Sequence, residues 1–182
     1  MDGGSDDHLA RIAASFTIHP DFPIKGVNFR NILPVMRDPQ LFGWLIDECV
    51  ARIKDKFSQP IDLVIGLEAR GFLFGPAIAL RLNCGFAPIR KPGKLPGKLA
   101  TVSFKKEYGE DVFEIEEDAI MPGQRIVIVD DVLATGGTLR AATQLMEQRK
   151  ALPVGTFVIV ELLGLGGRNR VPSCEALFSF SG

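Results

Sequence analysis

Two adjacent carboxylates stand shortly before a turn of glycine and threonine in the middle of the chain. Asp130 and Asp131 follow the apolar run Arg125 to Val129, and the turn from Ala134 to Thr138, called here the phosphate turn, leads into a helical pattern. Such a turn offers unpaired backbone N–H groups, hydroxyls and the positive end of a helix dipole, which together suit a phosphate monoester. Ionised carboxylates accept hydrogen bonds and therefore suit hydroxyl groups. The pattern predicts a ligand with a phosphate and a nearby cis-diol, as in a pentose 5-phosphate.

The acidic pair has other interpretations. It could merely cap a turn, but the apolar strand before it and the TGGT after it favour a binding site. A receiver domain also ends its first strand in an acidic pair, yet it needs a phospho-accepting Asp on a later strand, and Asp131 is the last aspartate of this chain. The turn is neither a Walker loop nor a dinucleotide fingerprint. The residues assigned to the sugar phosphate are Asp130, Asp131, Ala134, Thr135, Gly136, Gly137 and Thr138.

Several cations lie beside the ends of two other apolar runs. Arg70 follows the run Ile61 to Leu67, and Arg90, Lys91 and Lys94 follow the run Phe86 to Ile89. Surface lysines and arginines are usually only solvated, but this grouping in a chain of formal net charge -1 favours a local anion site. Arg and Lys match the charge of a diphosphate, which is the ligand we expect there.

Short apolar runs, typical of strands buried on both faces, alternate with helical patterns over much of the chain. The helical patterns include Gly71 to Leu82 and Gly137 to about Lys150, and further helices are predicted before the first run. This alternation predicts an α/β fold with a mainly parallel central sheet flanked by helices, whose ligands bind at the carboxyl ends of the strands. The runs are Ile61 to Leu67, Phe86 to Ile89, Arg125 to Val129, Gly155 to Val160 and, as an edge strand, Ala176 to Phe180.

Residues 92 to 120 are too long for a simple connection between elements. Thr101 to Phe104 and Val112 to Ile115 flank Tyr108-Gly109-Glu110-Asp111, which predicts a β-hairpin projecting from the sheet. A long excursion of this kind is a candidate lid. We therefore expect a single domain over residues 1–182, with 92–120 as a flexible lid.

The composition is that of one ordinary soluble domain. Of 182 residues, 46% are hydrophobic and 24% are charged. A nearly neutral chain has no overall positive electrostatic field to attract nucleic acid or an anionic membrane. No apolar run approaches the length of a membrane span. The chain start lacks the pattern of a signal peptide, and the three widely spaced cysteines are typical of reduced thiols. We expect a cytoplasmic protein that binds neither nucleic acid nor membranes.

The segment IVIVDDVLATGGT resembles the phosphoribosyl-diphosphate signature of the type I phosphoribosyltransferases. Other segments resemble, in order, those of the adenine-specific members of that family: GVNFRNILP (26–34), VIGLEARGFLFGPAIA (64–79), IRKPGKLPG (89–97) and KEYGEDVFEI (106–115). The resemblance, from about Phe22 to Arg168, implies a purine-salvage transferase. Such an enzyme makes AMP and pyrophosphate from adenine and 5-phosphoribosyl 1-diphosphate. A homodimer is also implied.

The resemblance assigns roles to individual residues. Glu107 looks like a lid carboxylate that handles the purine proton. Together with Asp131 of the acidic pair, it is a catalytic candidate. Mg²⁺ is expected because a departing diphosphate must be neutralised, and we assign it mainly to diphosphate and ribose oxygens and water, since the sequence shows no all-protein metal site. The expected pyrophosphate-binding residues are Ala69, Arg70, Gly71, Arg90, Lys91, Lys94 and Tyr108.

The resemblance also supplies the base-binding residues Asn28, Phe29, Arg30 and Leu162. It implies that Phe29 stacks on the purine while backbone groups of Asn28 and Arg30 meet its edge, with Leu162 as an apolar wall. Adenine presents an N6 donor beside an N1 acceptor, so one C=O and one N–H in register would accept it and reject a 6-oxo purine. Asn28 departs from the apolar residue common in the family, but a backbone contact survives that change.

Two alternative functions remain open at this point. One is a sister transferase that uses a 6-oxo purine or orotate. The other is a non-catalytic regulator that retains the ribose-phosphate site as an effector pocket.

Overall fold

The computed structural model describes residues 3–23, 25–105 and 110–181. Its helices are α1 (Gly3–Ala14), α2 (Pro39–Lys56), α3 (Gly71–Leu82) and α4 (Gly137–Gln148). Its strands are β1 (Thr17–His19), β2 (Phe29–Asn31), β3 (Leu63–Leu67), β4 (Gly85–Ile89), β5 (Leu99–Lys105), β6 (Glu110–Glu116), β7 (Arg125–Leu133), β8 (Leu152–Leu162) and β9 (Cys174–Phe180). Short 3-10 turns lie at Leu33–Arg37, Glu117–Ala119, Leu163–Leu165 and Gly167–Asn169.

A five-stranded sheet in the spatial order β4-β3-β7-β8-β9 forms the centre of the molecule. Its strands pair in parallel throughout. Every residue of β3 is buried, as expected for an apolar run covered on both faces. The predicted parallel α/β fold is confirmed. Because β7 lies between β3 and β8, the loops that leave these strands meet at one edge of the sheet.

Alternate residues of the strands face two hydrophobic layers. Ile65 and Ile128 pack in the layer that contains α4, whereas Val64 and Val127 pack in the layer that contains α1, α2 and α3. Burying one apolar side chain of this size stabilises the folded state by roughly 1.5–3 kcal/mol. With both faces covered, the carboxyl edge of the sheet is where polar side chains can gather.

The starts of α2 and α4 differ in a way that matters for anion binding. Asp38 caps α2, since its Oδ1 accepts hydrogen bonds from the N–H groups of Gln40 (2.8 Å) and Leu41 (3.1 Å). Helix α4 follows Gly136 instead, and no side chain caps its first turn. Its first N–H groups therefore remain available to an anion.

Strands β5 and β6 form the predicted antiparallel hairpin. Its side chains Val102, Phe113 and Ile115 are buried in the layer that contains α4. Backbone hydrogen bonds of 2.9 and 2.8 Å join Arg90 and Glu114 in both directions. The root of the hairpin is thus part of the core, while residues 106–109, including Glu107 and Tyr108, lie outside the described residues.

Several features differ from the expectations drawn from sequence. Strand β8, predicted over Gly155 to Val160, runs from Leu152 to Leu162. β7 continues beyond Val129 to Leu133, because its pairing with β8 extends to Leu133 opposite Glu161. Asp130 and Asp131 therefore lie within the strand rather than after it. In addition, the proline-rich stretch before α2 contains the antiparallel ribbon β1–β2, which pairs Thr17 with Asn31.

No helix among the described residues is long and apolar enough to cross a bilayer. The three cysteines are free, with Cys49 and Cys174 buried and Cys84 partly buried. Burial raises the pKa of each thiol, so all three remain protonated at neutral pH.

An ion pair joins β3 and β7 at the opposite, amino edge of the sheet. Arg125 donates from Nε (2.8 Å) and Nη2 (2.6 Å) to the two oxygens of Asp62, and its backbone N–H donates to the same carboxylate at 2.8 Å. These hydrogen bonds lower the pKa of Asp62 to about 2. The pair stabilises the amino ends of the two strands, at the edge of the sheet opposite the polar loops described below.

We expect Asp62→Asn to lower the free energy of unfolding at neutral pH, because an amide cannot accept both guanidinium hydrogen bonds. The folded-state pKa lies below the ordinary value of 3.8, so the stabilisation is present above that value and is lost as the pH falls toward 2. Urea unfolding of wild type and variant between about pH 7 and about pH 3 measures the difference. A difference that stays constant over this range would contradict the assignment.

Candidate active site

Loops that follow three strands meet the hairpin around a pocket of about 260 Å³ at the carboxyl edge of the sheet. Its walls include residues 68–70 after β3, Lys91 after β4, and residues 130–136 of β7 and the phosphate turn. Thr138 and Leu139 of α4 and Asp111 and Phe113 of β6 complete it. The sheet order therefore brings together, in one site, the residues predicted to bind the sugar phosphate and some of the residues predicted to bind the diphosphate.

The acidic pair, Asp130 and Asp131, lines the pocket and contacts a nearby arginine. Asp131 is only 4% exposed, and its Oδ2 lies 2.9 Å from Nε of Arg70. Asp130 accepts a hydrogen bond of 2.9 Å from the backbone N–H of Asp131. Burial raises the pKa of both carboxyls, and the adjacent charge of Asp131 raises that of Asp130 further, whereas the Arg70 guanidinium lowers both. Arg70 is thus the counter-charge that makes the pair tolerable in a buried position.

The phosphate turn has the geometry expected of an anion-binding loop. Ala134, Thr135, Gly136 and Thr138 line the pocket, and Gly137 begins the uncapped helix α4. Gly136 has a φ of +80°, and a Cβ there would lie 2.6 Å from the carbonyl oxygen of Gly167. Only glycine fits this position without displacing the backbone.

The predicted diphosphate residues divide into two groups. The pocket is lined by Ala69, Arg70 and Lys91, and Gly71 begins α3 directly after Arg70. Arg90 instead turns to Glu68, with Nε 3.2 Å from its carboxylate, and donates to the carbonyl of Lys94 at 3.2 Å. The side chain of Lys94 is exposed and does not line the pocket. The structure therefore gathers part of this set around the pocket and leaves Arg90 and Lys94 at its margin.

One of the predicted base-binding residues, Phe29, lies near Arg70. The Arg70 guanidinium lies 5.7 Å from the ring centre of Phe29, which Phe22 contacts edge-on at 5.2 Å. Arg30 lies 3.6 Å above the ring of Phe180, the register partner of Leu162. We call Phe29, Arg30 and Leu162 the base side. Asn28 is exposed immediately before β2.

Sequence reasoning missed three acidic or aromatic residues of the pocket, Glu68, Asp111 and Phe113. The carboxylate of Glu68 accepts hydrogen bonds from the N–H of Lys91 (3.0 Å) and from Arg90, and these lower its pKa. Its position two residues before Arg70, directly after a buried strand, is a signal that could have identified it. Asp111 and Phe113 could not be placed without knowing how the hairpin docks.

The acidic lining of the pocket bears on magnesium binding. Among the described residues no three His, Cys, Asp or Glu side chains come together as a metal site. The pocket is nevertheless lined by carboxylate oxygens of Glu68, Asp111, Asp130 and Asp131, the hard donors that magnesium prefers. These residues fit an ion that takes most of its ligands from a bound molecule and water.

Comparison with known proteins identifies the family. The profile of the phosphoribosyl transferase domain matches residues 38–172. Adenine phosphoribosyltransferase of Yarrowia lipolytica is 48% identical over 161 residues, 88% of each chain, and that of Mus musculus is 47% identical over 167 residues, 92% of this chain and 93% of its own. The chain belongs to the adenine phosphoribosyltransferases.

Solved adenine phosphoribosyltransferases share the fold. The enzyme from Saccharomyces cerevisiae, in complex with an imino-altritol bisphosphate and adenine, is 41% identical with a TM-score of 0.88, over 97% of this chain and 98% of its own. The enzyme from Trypanosoma brucei, in complex with AMP, pyrophosphate and ribose-5-phosphate, is 28% identical with a TM-score of 0.83, over 94% and 79%. The resemblance drawn from the sequence motifs is confirmed.

Asp130→Asn should raise the melting temperature of the ligand-free protein at neutral pH. The folded-state pKa of Asp130 is raised well above its usual value by burial and by Asp131. A stabilising contribution from its protonated form is therefore lost as the pH rises through that pKa, and the amide avoids this loss. Each kcal/mol regained corresponds to roughly 2–4 °C in a domain of this size, which a thermal melt followed by circular dichroism detects.

The gain should shrink as the pH is lowered, because the wild-type carboxyl then becomes protonated. Asp118→Asn, at an exposed position, is the matched control for the loss of one carboxylate. A melting temperature of Asp130→Asn at or below that of wild type at every pH would show that the buried charge is not destabilising.

Proposed function

We propose that this adenine phosphoribosyltransferase transfers the 5-phosphoribosyl group of 5-phosphoribosyl 1-diphosphate to N9 of adenine, giving AMP and pyrophosphate. The Arg70–Asp131 contact of 2.9 Å is the observation that carries the proposal. It joins a residue predicted to bind the diphosphate to a residue predicted to bind the ribose in one pocket, and the ring of Phe29 lies 5.7 Å from the same guanidinium. The three parts of the reaction thus have neighbouring binding groups.

The sugar phosphate would bind along β7 and the phosphate turn. Asp130 and Asp131 accept the 2′ and 3′ hydroxyls, and the N–H groups of the turn with the Thr135 and Thr138 hydroxyls take the 5′-phosphate. Positive charge develops on C1′ as the diphosphate leaves. A buried carboxylate pair whose ionisation is unfavourable in the free protein is stabilised by a nearby positive charge, so the pair acts most strongly on the transition state.

The diphosphate would leave toward Arg70, Lys91 and the backbone amides of Ala69 to Gly71. Magnesium bound with the diphosphate supplies charge neutralisation to the leaving group. The pocket carboxylates that would hold its water ligands are Glu68, Asp111, Asp130 and Asp131. Arg90 and Lys94 belong to the same proposed site, which requires Arg90 to exchange its contact with Glu68 for the ligand.

Adenine would bind on the base side. Phe29 stacks on the purine, Leu162 covers it, and the backbone of Asn28 and Arg30 meets its Watson–Crick edge. A 6-oxo purine bound in the same place would leave one of these backbone donors or acceptors unpaired, and this cost discriminates against it. The bond from C1′ to the diphosphate oxygen breaks as the bond from N9 to C1′ forms, and the N9 proton passes to Glu107.

Glu107 and Tyr108 enter this proposal through the family resemblance. Tyr108 would close over the ribose and diphosphate and exclude water, which would otherwise hydrolyse the activated sugar. The buried root of the hairpin gives this segment a fixed base from which to reach the pocket. We further propose a homodimer located in the cytoplasm, as the resemblance implies.

Pyrophosphate release tests the proposal directly. Purified protein receives magnesium and 5-phosphoribosyl 1-diphosphate with adenine, hypoxanthine, guanine or orotate in separate reactions. Release with adenine alone is expected. Release with another base instead would keep the sugar site and overturn the base assignment, and binding of the diphosphate without release would favour a regulator.

Glu107→Gln should lower kcat by about 10²-fold or more, the usual contribution of a positioned acid or base. The KM for adenine should change little, because an amide of the same shape preserves packing. Steady-state kinetics with adenine varied measures both values. Glu116→Gln, on the same hairpin but away from the pocket lining, is the control. Unchanged kcat in Glu107→Gln would remove the proton-handling role.

A further inference from the structure

A buried carboxylate at the end of β8 forms an ion pair that the proposed reaction does not use. Glu161 is 4% exposed, and its two oxygens lie 2.8 and 2.9 Å from Nε of Arg168. Ser179 of β9 donates a hydrogen bond of 3.3 Å to the same carboxylate. The Arg168 Nη1 donates to the backbone carbonyl of Cys174. Arg168 thereby ties the end of β8 to the start of β9.

Stability alone gives little reason for a charged pair at this position. Glu161 is buried but the Arg168 side chain is partly exposed, and an ion pair of this kind adds little stability compared with apolar residues of similar volume. Glu161 lies beside Leu133 of β7 in the sheet register, where an apolar side chain would also pack. An arginine that bonds both a carboxylate and a carbonyl does, however, fix the direction of the chain segment that carries it. The pair therefore points to a role in positioning.

The neighbours of the pair belong to the two halves of the site. Leu162, directly after Glu161, is on the base side. Gly167, directly before Arg168, contacts the phosphate turn, since a Cβ on Gly136 would lie 2.6 Å from the Gly167 carbonyl oxygen. A Cβ on Gly167 would itself lie 2.6 Å from Cδ1 of Leu133. The ion pair is thus one residue away from the base wall and one residue away from the glycine that touches the phosphate turn.

We propose that Arg168 is a positioning residue that holds the base side and the phosphate turn at the separation required by a ligand spanning both. This inference rests on the proposed function. Base and ribose react only when N9 and C1′ are aligned, and a displacement of about 1 Å can lower a rate about 10²-fold. Loss of the Arg168 side chain leaves the residues of each half unchanged and alters only their relative placement.

Binding of three ligands separates this role from a general structural one. AMP spans both halves, whereas adenine and ribose 5-phosphate each occupy one. In Arg168→Gln the affinity for AMP should fall about 10-fold while the affinities for adenine and ribose 5-phosphate change less than about 2-fold, a coupling of the size found between neighbouring groups. Isothermal titration calorimetry measures all three, and kcat should fall at least about 10-fold.

Two variants serve as controls. Arg168→Lys keeps the charge and one donor, so its AMP affinity should lie between those of wild type and Arg168→Gln, and it carries the comparison if the Gln variant does not fold. Asp62→Asn breaks another bidentate arginine pair at the opposite edge of the sheet and should leave all three affinities unchanged.

The outcomes are distinct. A selective loss of AMP affinity supports the inference. An equal loss for all three ligands would show a structural role only, and an unchanged AMP affinity would show no role, so either result overturns it. Failure of the wild type to bind AMP would overturn the proposed function, and this inference with it.

Discussion

Two adjacent carboxylates, Asp131 buried and Asp130 partly buried, are the constraint around which the site is built. Like charges this close, and removed from water, are unfavourable unless a cation lies beside them. Arg70 supplies that cation, yet it comes from the loop after a different strand. The contact therefore requires β3 and β7 to be neighbours in the sheet, with their ends in register. The sheet order and the loop of residues 68–70 follow from the same electrostatic need.

Much of the fold could be predicted because its elements are encoded locally. The buried strands are nearly continuous apolar runs, and the helical pattern from Gly71 to Leu82 predicted α3 over its observed range. The extension of β7 to Leu133 could not be predicted, because the polar Asp130 and Asp131 end the apolar run while the backbone continues to pair with β8. The ribbon β1–β2 was missed because its strands are short and prolines surround them.

The site was predicted less completely, for a physical reason. Residues such as Asp131 and Thr135 belong to one continuous motif, so their proximity is local. The contacts of Arg70 with Asp131 and of Arg90 with Glu68 join segments far apart in sequence, and only the folded sheet reveals them. Charge patterns predicted that Arg90 would meet an anion. In the structure, the anion that Arg90 contacts is the carboxylate of Glu68 in the same chain.

The cation–aromatic contact between Arg30 and Phe180 gives the two halves of the site different costs of assembly. The phosphate half comes from one continuous part of the chain, residues 68–139, whereas the base side joins segments near the two chain ends. Closing a long loop has a larger entropic cost than closing a short one. The base side therefore carries the larger entropic cost of loop closure, and a purine can bind only where both ends of the chain are in place.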